Sequence, residues 1–465
     1  MKITSFGHAT LLIEHAGRRV LVDPWLSQRL DRFWERNPVL PDGLLEILEG
    51  GVDHIVLTHH HCDHLHYPSL RRLASVLGVT PGSDPGSRPD VEVLFPHSGY
   101  PMFTASGMGH MPIPQTLRRL GFHRFRPLRE GDKADLGGLT VRAFPSRVRF
   151  PEMSVLFESD TGAVMFCADA VQHPKTWEYF TGPDAPRVDV AFLPAHSIVP
   201  RNVLTERKLF TSYEEARSNS IAVFDRYVST MDARVTVPFA CGWRVSSEDA
   251  PLDWCNRTMY PFTPVQAVER LRLTGRRGEL LPPATVLRLD GKDVEVSTVP
   301  GVEVPEDPVT AYRRIELDPG TEIPPFDPAT DRCGTQREPS ARLAGQLMDG
   351  LVGSDVWCQA LETGRRYGLH VTDDAGGTES FVLEPASGRV ETQQVAPEDR
   401  ATGRYTEIAG STLQALLDGD LLYGSSWGLW TSNVAILPAV FHHPRFNARH
   451  LDTVLARPAH PSIRN

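Results

Sequence analysis

Residues 57–66 read LTHHHCDHLH, directly behind the apolar residues Ile55 and Val56. A strand that runs out into a loop presents alternate side chains on one side, which brings His59 and His61 together. Asp63 and His64 fall beyond the turn, placed for a second ion close by. Histidine suits borderline transition metals and a carboxylate suits harder ones, so the H-x-H-x-D-H set reads as a dinuclear metal site. A polar, histidine-rich surface loop is the plain alternative, and short His tracts are common. The spacing argues against it.

The composition narrows the class. A chain of 465 residues is long for one domain and comfortable for two. Hydrophobic residues make up 40% and charged residues 23%, as in ordinary globular proteins. A net charge of −10 argues against nucleic acid as the main partner, because phosphate binding needs concentrated Lys and Arg. The six cysteines (Cys62, Cys167, Cys241, Cys255, Cys333, Cys358) show no CxxC spacing. They imply neither a disulfide scaffold nor a thiolate zinc knuckle, and a reducing cytoplasm is the simplest setting. The opening MKITSFGHATLLIEH is broken by charge too early for a signal peptide. No run elsewhere is long enough to cross a bilayer, so no membrane partner is expected.

Working outward from the loop, residues 2–15 and 18–22 read as two strands joined at Ala16-Gly17, and Asp23-Pro24 stops the second. His8 falls within the first strand as a core histidine or as a support behind the ligands. Residues 43–50 read as a short helix, 68–78 as a helix closed by Gly78, and 80–90 as a surface loop. Strand 91–96 leads into HSGYPMFTASGMGHMPIP. Here Tyr100, Met102, Phe103, Met108 and Met111 can wall a bulky apolar substrate or fill a partly buried connection. LTVRAFPSR, MSVLFES, AVMFCAD and VDVAFLPAH read as successive strands, the last apolar enough to be buried on both faces. A helix over 213–228, the strand RVTVPFA and a helix ending at Gly275 come next. This order predicts an α/β fold over 1–291, an αββα sandwich of two sheets packed face to face and clad in helices. Residues 292–340 are dense in Pro, Asp and Glu and read as a connector. Residues 341–465 read as a smaller C-terminal α+β domain in which nothing looks catalytic.

The metal loop and the two-strand opening resemble the metallo-β-lactamase superfamily. That resemblance implies three further ligands: one on a later loop, a bridging carboxylate after the next hairpin, and a final His near the domain's end. The first is a His in the hydrolases. The corresponding loop here, FPSRVRFPEMS, has none, and Glu152 is the natural donor. Asp169, at the end of AVMFCAD, takes the bridge, with capping of the next turn as its plainer use. Hydrolases of the ascorbate-lactonase type supply the last ligand from a strand reading V-I-P-x-H, where this chain has Val237-Pro238-Phe239-Ala240. His196, ending FLPAH, is the substitute, with a supporting or surface role as its alternative. His173 and His97 are weaker candidates.

These departures shift the implied chemistry. His59, His61 and Glu152 make two imidazoles and a carboxylate, the set that leaves open positions on non-haem Fe(II). Asp169 would bridge to a second ion held by Asp63, His64 and His196. An oxygen-rich, redox-capable pair suits O2 activation, whereas a zinc hydrolase needs no redox change. The Glu in the third motif resembles the branch of metallo-β-lactamase-fold diiron oxygenases that hydroxylate carrier- or CoA-linked intermediates in natural-product assembly. VPFACGWRVSSEDAPLDWCN is similar to the CMP-N-acetylneuraminate hydroxylase-like group, without that group's Rieske motif. Together these imply a diiron monooxygenase that hydroxylates an aliphatic carbon. Its two Fe ions, O2, an external electron donor and a small-molecule substrate such as a CoA thioester complete the expected set. Trp243 joins the expected substrate wall; Trp254 suits the core as well. The competing expectation is a hydrolase of a lactone, thioester or phosphoester carrying two Zn or Mn ions.

Overall fold

The computed structural model describes residues 1–31, 33–79, 91–97, 113–148, 151–195, 210, 212–246, 252–351, 367–384, 389–392, 405–421, 431–432 and 444–456. Alternation within the first strands decides the layering. In β1 (Lys2–Gly7), β2 (Thr10–His15) and β3 (Arg18–Val22), the side chains of Ile3, Leu11, Ile13, Val20 and Val22 enter one core. Phe6, Leu12 and Leu21 enter another. A sheet apolar on both faces has to be covered on both.

The first sheet adds β5 (His54–Val56), β6 (Glu92–Pro96), β7 (Arg124–Leu128), β15 (Thr285–Leu289) and β16 (Val294–Thr298), in the order β16-β15-β1-β2-β3-β5-β6-β7. The second runs β13-β12-β11-β10-β9-β8. Its strands are β8 (Lys133–Asp135), β9 (Thr140–Pro145), β10 (Met153–Ser159), β11 (Gly162–Phe166), β12 (Val190–Pro194) and β13 (Val235–Phe239). Val155, Phe157, Val164, Phe166 and Val190 from this sheet share a core with Ile3, Leu11 and Ile13 of the first. Outside the first sheet lie helices Tyr67–Val76 and Ile113–Leu120, which supply Leu70, Leu73 and Leu117. Outside the second lie Pro174–Thr181, Tyr213–Met231 and Pro264–Leu273. The layers are helix, sheet, sheet, helix, the expected α/β sandwich. Local chemistry fixes these helices. Ser212 caps Tyr213–Met231, and Thr263 with Gln266 closes a capping box ahead of Pro264.

Several elements differ from the sequence expectation. His8 lies in the turn after β1, not inside a strand, because Gly7 and His8 both take positive φ, 80° and 49°. The boundary at 291 falls inside the β15–β16 hairpin, whose second strand completes the first sheet. Within the expected connector, Asp307 caps a helix over Pro308–Arg314. Residues 44–50 form a 3-10 helix. A two-stranded ribbon pairs β4 (Trp34–Arg36) with β14 (Trp243–Val245), two short strands far apart in the chain whose pairing no local pattern announces.

In the C-terminal part, β17 (Tyr367–Thr372), β18 (Thr378–Glu384), β19 (Arg389–Thr392), β20 (Tyr405–Ala409) and β21 (Thr431–Ser432) form a sheet ordered β19-β18-β17-β20-β21. Its Leu369, Phe381 and Ile408 pack with Leu343 and Leu413 of helices Ser340–Leu351 and Gly410–Asp418. The same core continues into Trp25, Phe33, Trp34 and Tyr260 of the first part. Helix Pro444–Ala456 docks on Tyr67–Val76: the Arg71 guanidinium donates to the Val454 carbonyl, and Tyr67 stacks on His450 at 5.4 Å.

Candidate metal centre

The loop leaves β5 beside the start of β10, where the Met153 amide donates to the Thr58 carbonyl at 3.0 Å. Asp23, fully buried at the end of β3, organises the loop. It accepts from the Thr58 amide (2.7 Å) and the Thr58 hydroxyl (2.6 Å), and it lies 2.8 Å from His64 Nδ1. Carboxylate–imidazole contact of this kind fixes the tautomer, with the proton on Nδ1 and the lone pair on Nε2. The Thr58 hydroxyl gives its proton to Asp23, so it accepts from His59 Nδ1 at 3.0 Å, and the His59 lone pair also falls on Nε2.

Two donor groups result. His59, His61 and Asp169 bring one ligand atom each within 4.8 Å of one another, and so do His8, Asp63 and His64. In the first, His59 Nε2 lies 2.9 Å from His61 Nδ1 and 4.0 Å from Asp169 Oδ2. In the second, His8 Nε2 lies 3.1 Å and His64 Nε2 3.7 Å from Asp63 Oδ2. Asp169 spans the two groups, since its Oδ1 is 3.4 Å from His64 Nε2.

The charges fit a cation. Burial opposes a proton on His64, yet Asp169, Asp63 and Asp23 hold its pKa well above the usual histidine range. Burial also raises Asp63, but His64 and His8 outweigh it and keep this carboxyl below its usual range. Among the described residues, His64 Nε2 is buried without a hydrogen bond. The residues present fit a pair of metal ions: four imidazoles and two carboxylates converge, with His8, His59, Asp63 and His64 buried and His61 and Asp169 half-buried.

Glu152 stands apart from both groups. Its Oε1 is 4.0 Å from His59 Nδ1, the ring atom turned toward Thr58, whereas His61 and Asp169 face Nε2. Its side chain is 1% exposed, Oε2 has no hydrogen bond among the described residues, and burial pushes its pKa up to about 7, against the opposing hydrogen bond from Ser146. His173 caps helix Pro174–Thr181, and His97 is in neither group. Trp243 sits edge-on to Trp34 at 4.8 Å, and both it and Trp254 border the core shared with the C-terminal part. His196, Tyr100, Met102, Phe103, Met108 and Met111 lie outside the described residues.

Sequence reasoning missed two contributors. Asp23-Pro24 reads as a strand stop, and the Asp at a strand end beside a metal loop was the available signal. Arg36 gave none. It is fully buried, its guanidinium stacks 4.4 Å from the Trp25 ring, and it donates to the carbonyls of Phe6 (2.6 Å) and Trp25. Arg36 thus ties together the two segments that carry His8 and Asp23.

Residues 2–204 match the family model described as a beta-lactamase superfamily domain, which agrees with the two facing sheets. Curated relatives carry the name UPF0173 metal-dependent hydrolase. The one from Aeropyrum pernix is 44% identical over 64 residues, 14% of this chain and 22% of that protein. The one from Azorhizobium caulinodans is 28% identical over 141 residues, 30% of this chain and 46% of that protein. The chain therefore spans less than half the length of these relatives. Among solved structures, CmlA, a diiron β-hydroxylase from Streptomyces venezuelae, is 18% identical with a TM-score of 0.39, over 64% of this chain and 54% of that one. An isothiocyanate hydrolase from Delia radicum gut bacteria is 15% identical with a TM-score of 0.40, over 64% of this chain and 99% of that one. Likenesses at this level carry no argument about chemistry. No helix among the described residues is long and apolar enough to cross a membrane.

Proposed function

We propose that this chain is a dinuclear metal-dependent enzyme, and that its ions are two irons serving O2-dependent hydroxylation of an aliphatic carbon in a bulky, largely apolar substrate. The observation that carries the dinuclear reading is Asp169, with one oxygen toward His59 Nε2 and the other toward His64 Nε2. Iron is supported by the donor chemistry. Each group offers two imidazoles and one carboxylate, a set that leaves positions open on non-haem Fe(II) and is harder than a three-histidine zinc site. When bound, such a pair supplies redox chemistry toward O2. The protein's own part is orientation and exclusion of water. Asp23 and Thr58 fix the ring tautomers, and Glu152 sets a buried carboxyl beside His59. A small-molecule substrate, which a CoA or carrier thioester would satisfy, and an external electron donor complete the requirement.

A second reading, a zinc- or manganese-dependent hydrolase, is favoured by the names of the curated relatives. Protein from iron-supplemented cells separates the two. Two irons per chain with the visible charge-transfer absorption of a bridged diferric pair are expected. Two colourless zincs would transfer the conclusion to the hydrolase. Asp169→Ala should hold less than one ion per chain, because the bridge serves both. Full occupancy in that variant would rule out a dinuclear centre built on Asp169.

A further inference from the structure

The second donor group contains a histidine that lies far from the metal loop in sequence. We infer that His8 is a metal ligand, completing the second ion's set with Asp63 and His64; this rests on the dinuclear reading. Four observations converge on it.

The first is aim. His8 is 2% exposed, its Nε2 lies 3.1 Å from Asp63 Oδ2, and its ring centroid is 5.2 Å from that of His64. Both imidazoles therefore face one carboxylate oxygen from different sides. Neither Nδ1 nor Nε2 of His8 has a hydrogen bond among the described residues, so a buried imidazole is left with polar atoms that the protein alone does not satisfy.

The second is backbone. His8 adopts φ 49°, in the left-handed region that residues other than glycine uncommonly take, although Asn, Asp and His are enriched there. Strain of this kind persists where surrounding structure enforces it, and it clusters at functional sites.

The third is room. The loop after β13 passes His8 at Gly242, where a Cβ would come within 2.7 Å of the Asn37 carbonyl oxygen, 3.5 Å of His8 Cα and 3.6 Å of His8 Cβ. The close approach is to Asn37, and the His8 distances are ordinary contact, so this loop packs on the His8 backbone while its segment Ala240-Cys241-Gly242 carries no imidazole of its own. The fourth is support. Arg36 holds the Phe6 carbonyl and the Trp25 carbonyl, which fixes the turn carrying His8 against the segment that orients His64.

The test compares the native chain with His8→Gly and His8→Asn, both suited to the left-handed backbone. Each is loaded anaerobically with iron(II), and separately with zinc(II), and counted by elemental analysis with chelator competition. The native chain should hold two ions and each variant one. The second ion should be weakened by more than ~100-fold, beyond the ~10–100-fold typical of a group that only supports a ligand. Added imidazole should restore the second ion to His8→Gly, a rescue that a structural role would not show. Two ions in both variants, or weakening within ~10–100-fold without rescue, would overturn the assignment while leaving the dinuclear reading intact. A native chain that holds fewer than two ions under the same loading overturns both.

Discussion

Glu152 is a carboxyl group in surroundings that ask it to be neutral. In the metal-free protein its pKa is pushed up to about 7 by burial, from an ordinary 4.5. Between these values the unfolded chain is ionised while the folded chain keeps its proton. The folded state is therefore disfavoured progressively from pH 4.5 to 7, and by a constant amount above that. A shift of this size is worth about 3 kcal/mol. Metal-stripped Glu152→Gln should accordingly be more stable than the native chain by up to about 3 kcal/mol at about pH 8, with the gain gone at about pH 4. Urea denaturation at the two pH values measures it. Arg36 calls for the opposite outcome. Arg36→Met relieves a buried charge but strips donors from the buried Phe6 and Trp25 carbonyls, at roughly 1–3 kcal/mol each. The second effect should win, with a net loss of about 2–4 kcal/mol in urea denaturation. At this scale the sequence was uneven. The spacing of His59, His61, Asp63 and His64 announced the loop, because those residues are neighbours in the chain. Asp23 and Arg36 act on segments far along it, and neither residue type carries a signature for that. For Glu152 the residue was legible, but its side of the His59 ring was not, since that depends on Thr58 having claimed Nδ1.

Among elements, the hairpins were readable wherever alternation and a turn lie side by side, as in β2–β3 and β10–β11. The turn between β1 and β2 was not. His8 fits an uninterrupted strand pattern, and only the successive positive φ values of Gly7 and His8 reveal a bend. The β4–β14 ribbon also escaped, because two three-residue strands leave too little periodicity to detect. Helix Pro444–Ala456 was absent from the expectation, yet it is the outer brace of Tyr67–Val76, the helix that continues the metal loop. Leu451 is fully buried in the core beneath that contact. Leu451→Ala should cost about 2–5 kcal/mol by cavity formation, measured as a lower denaturation midpoint. A loss confined to helix Pro444–Ala456, with protection of the Tyr67–Val76 amides unchanged in hydrogen exchange, would show that the brace does not reach the loop.

For the molecule as a whole, the sandwich emerged from the order of strands and helices, but the relation of the C-terminal sheet to it did not. Composition suggested a separate domain behind a connector. The structure instead runs one apolar cluster from Trp25 and Trp34 through Tyr260 to Leu369, Phe381 and Leu413. Shared burial of this kind comes from contacts that no single segment encodes. Ending the chain after residue 339 would leave Trp25, Phe33 and Trp34 without that cover, and Trp25 also lies 5.3 Å from the His8 ring. The shortened protein should unfold at a clearly lower temperature and aggregate on gel filtration. A monodisperse fragment with the full protein's metal content would show that the two parts fold independently.

The left-handed turn at His8 also has a consequence for how such a protein can diverge. In the genetic code, histidine is one base change away from both asparagine and aspartate, and these two tolerate the backbone that His8 adopts at φ 49°. Random drift at this codon therefore reaches side chains that the turn accepts without refolding. His8→Asp would exchange an imidazole for a carboxylate and move the site toward harder ions. A lineage carrying this turn stands one nucleotide from a different metal preference.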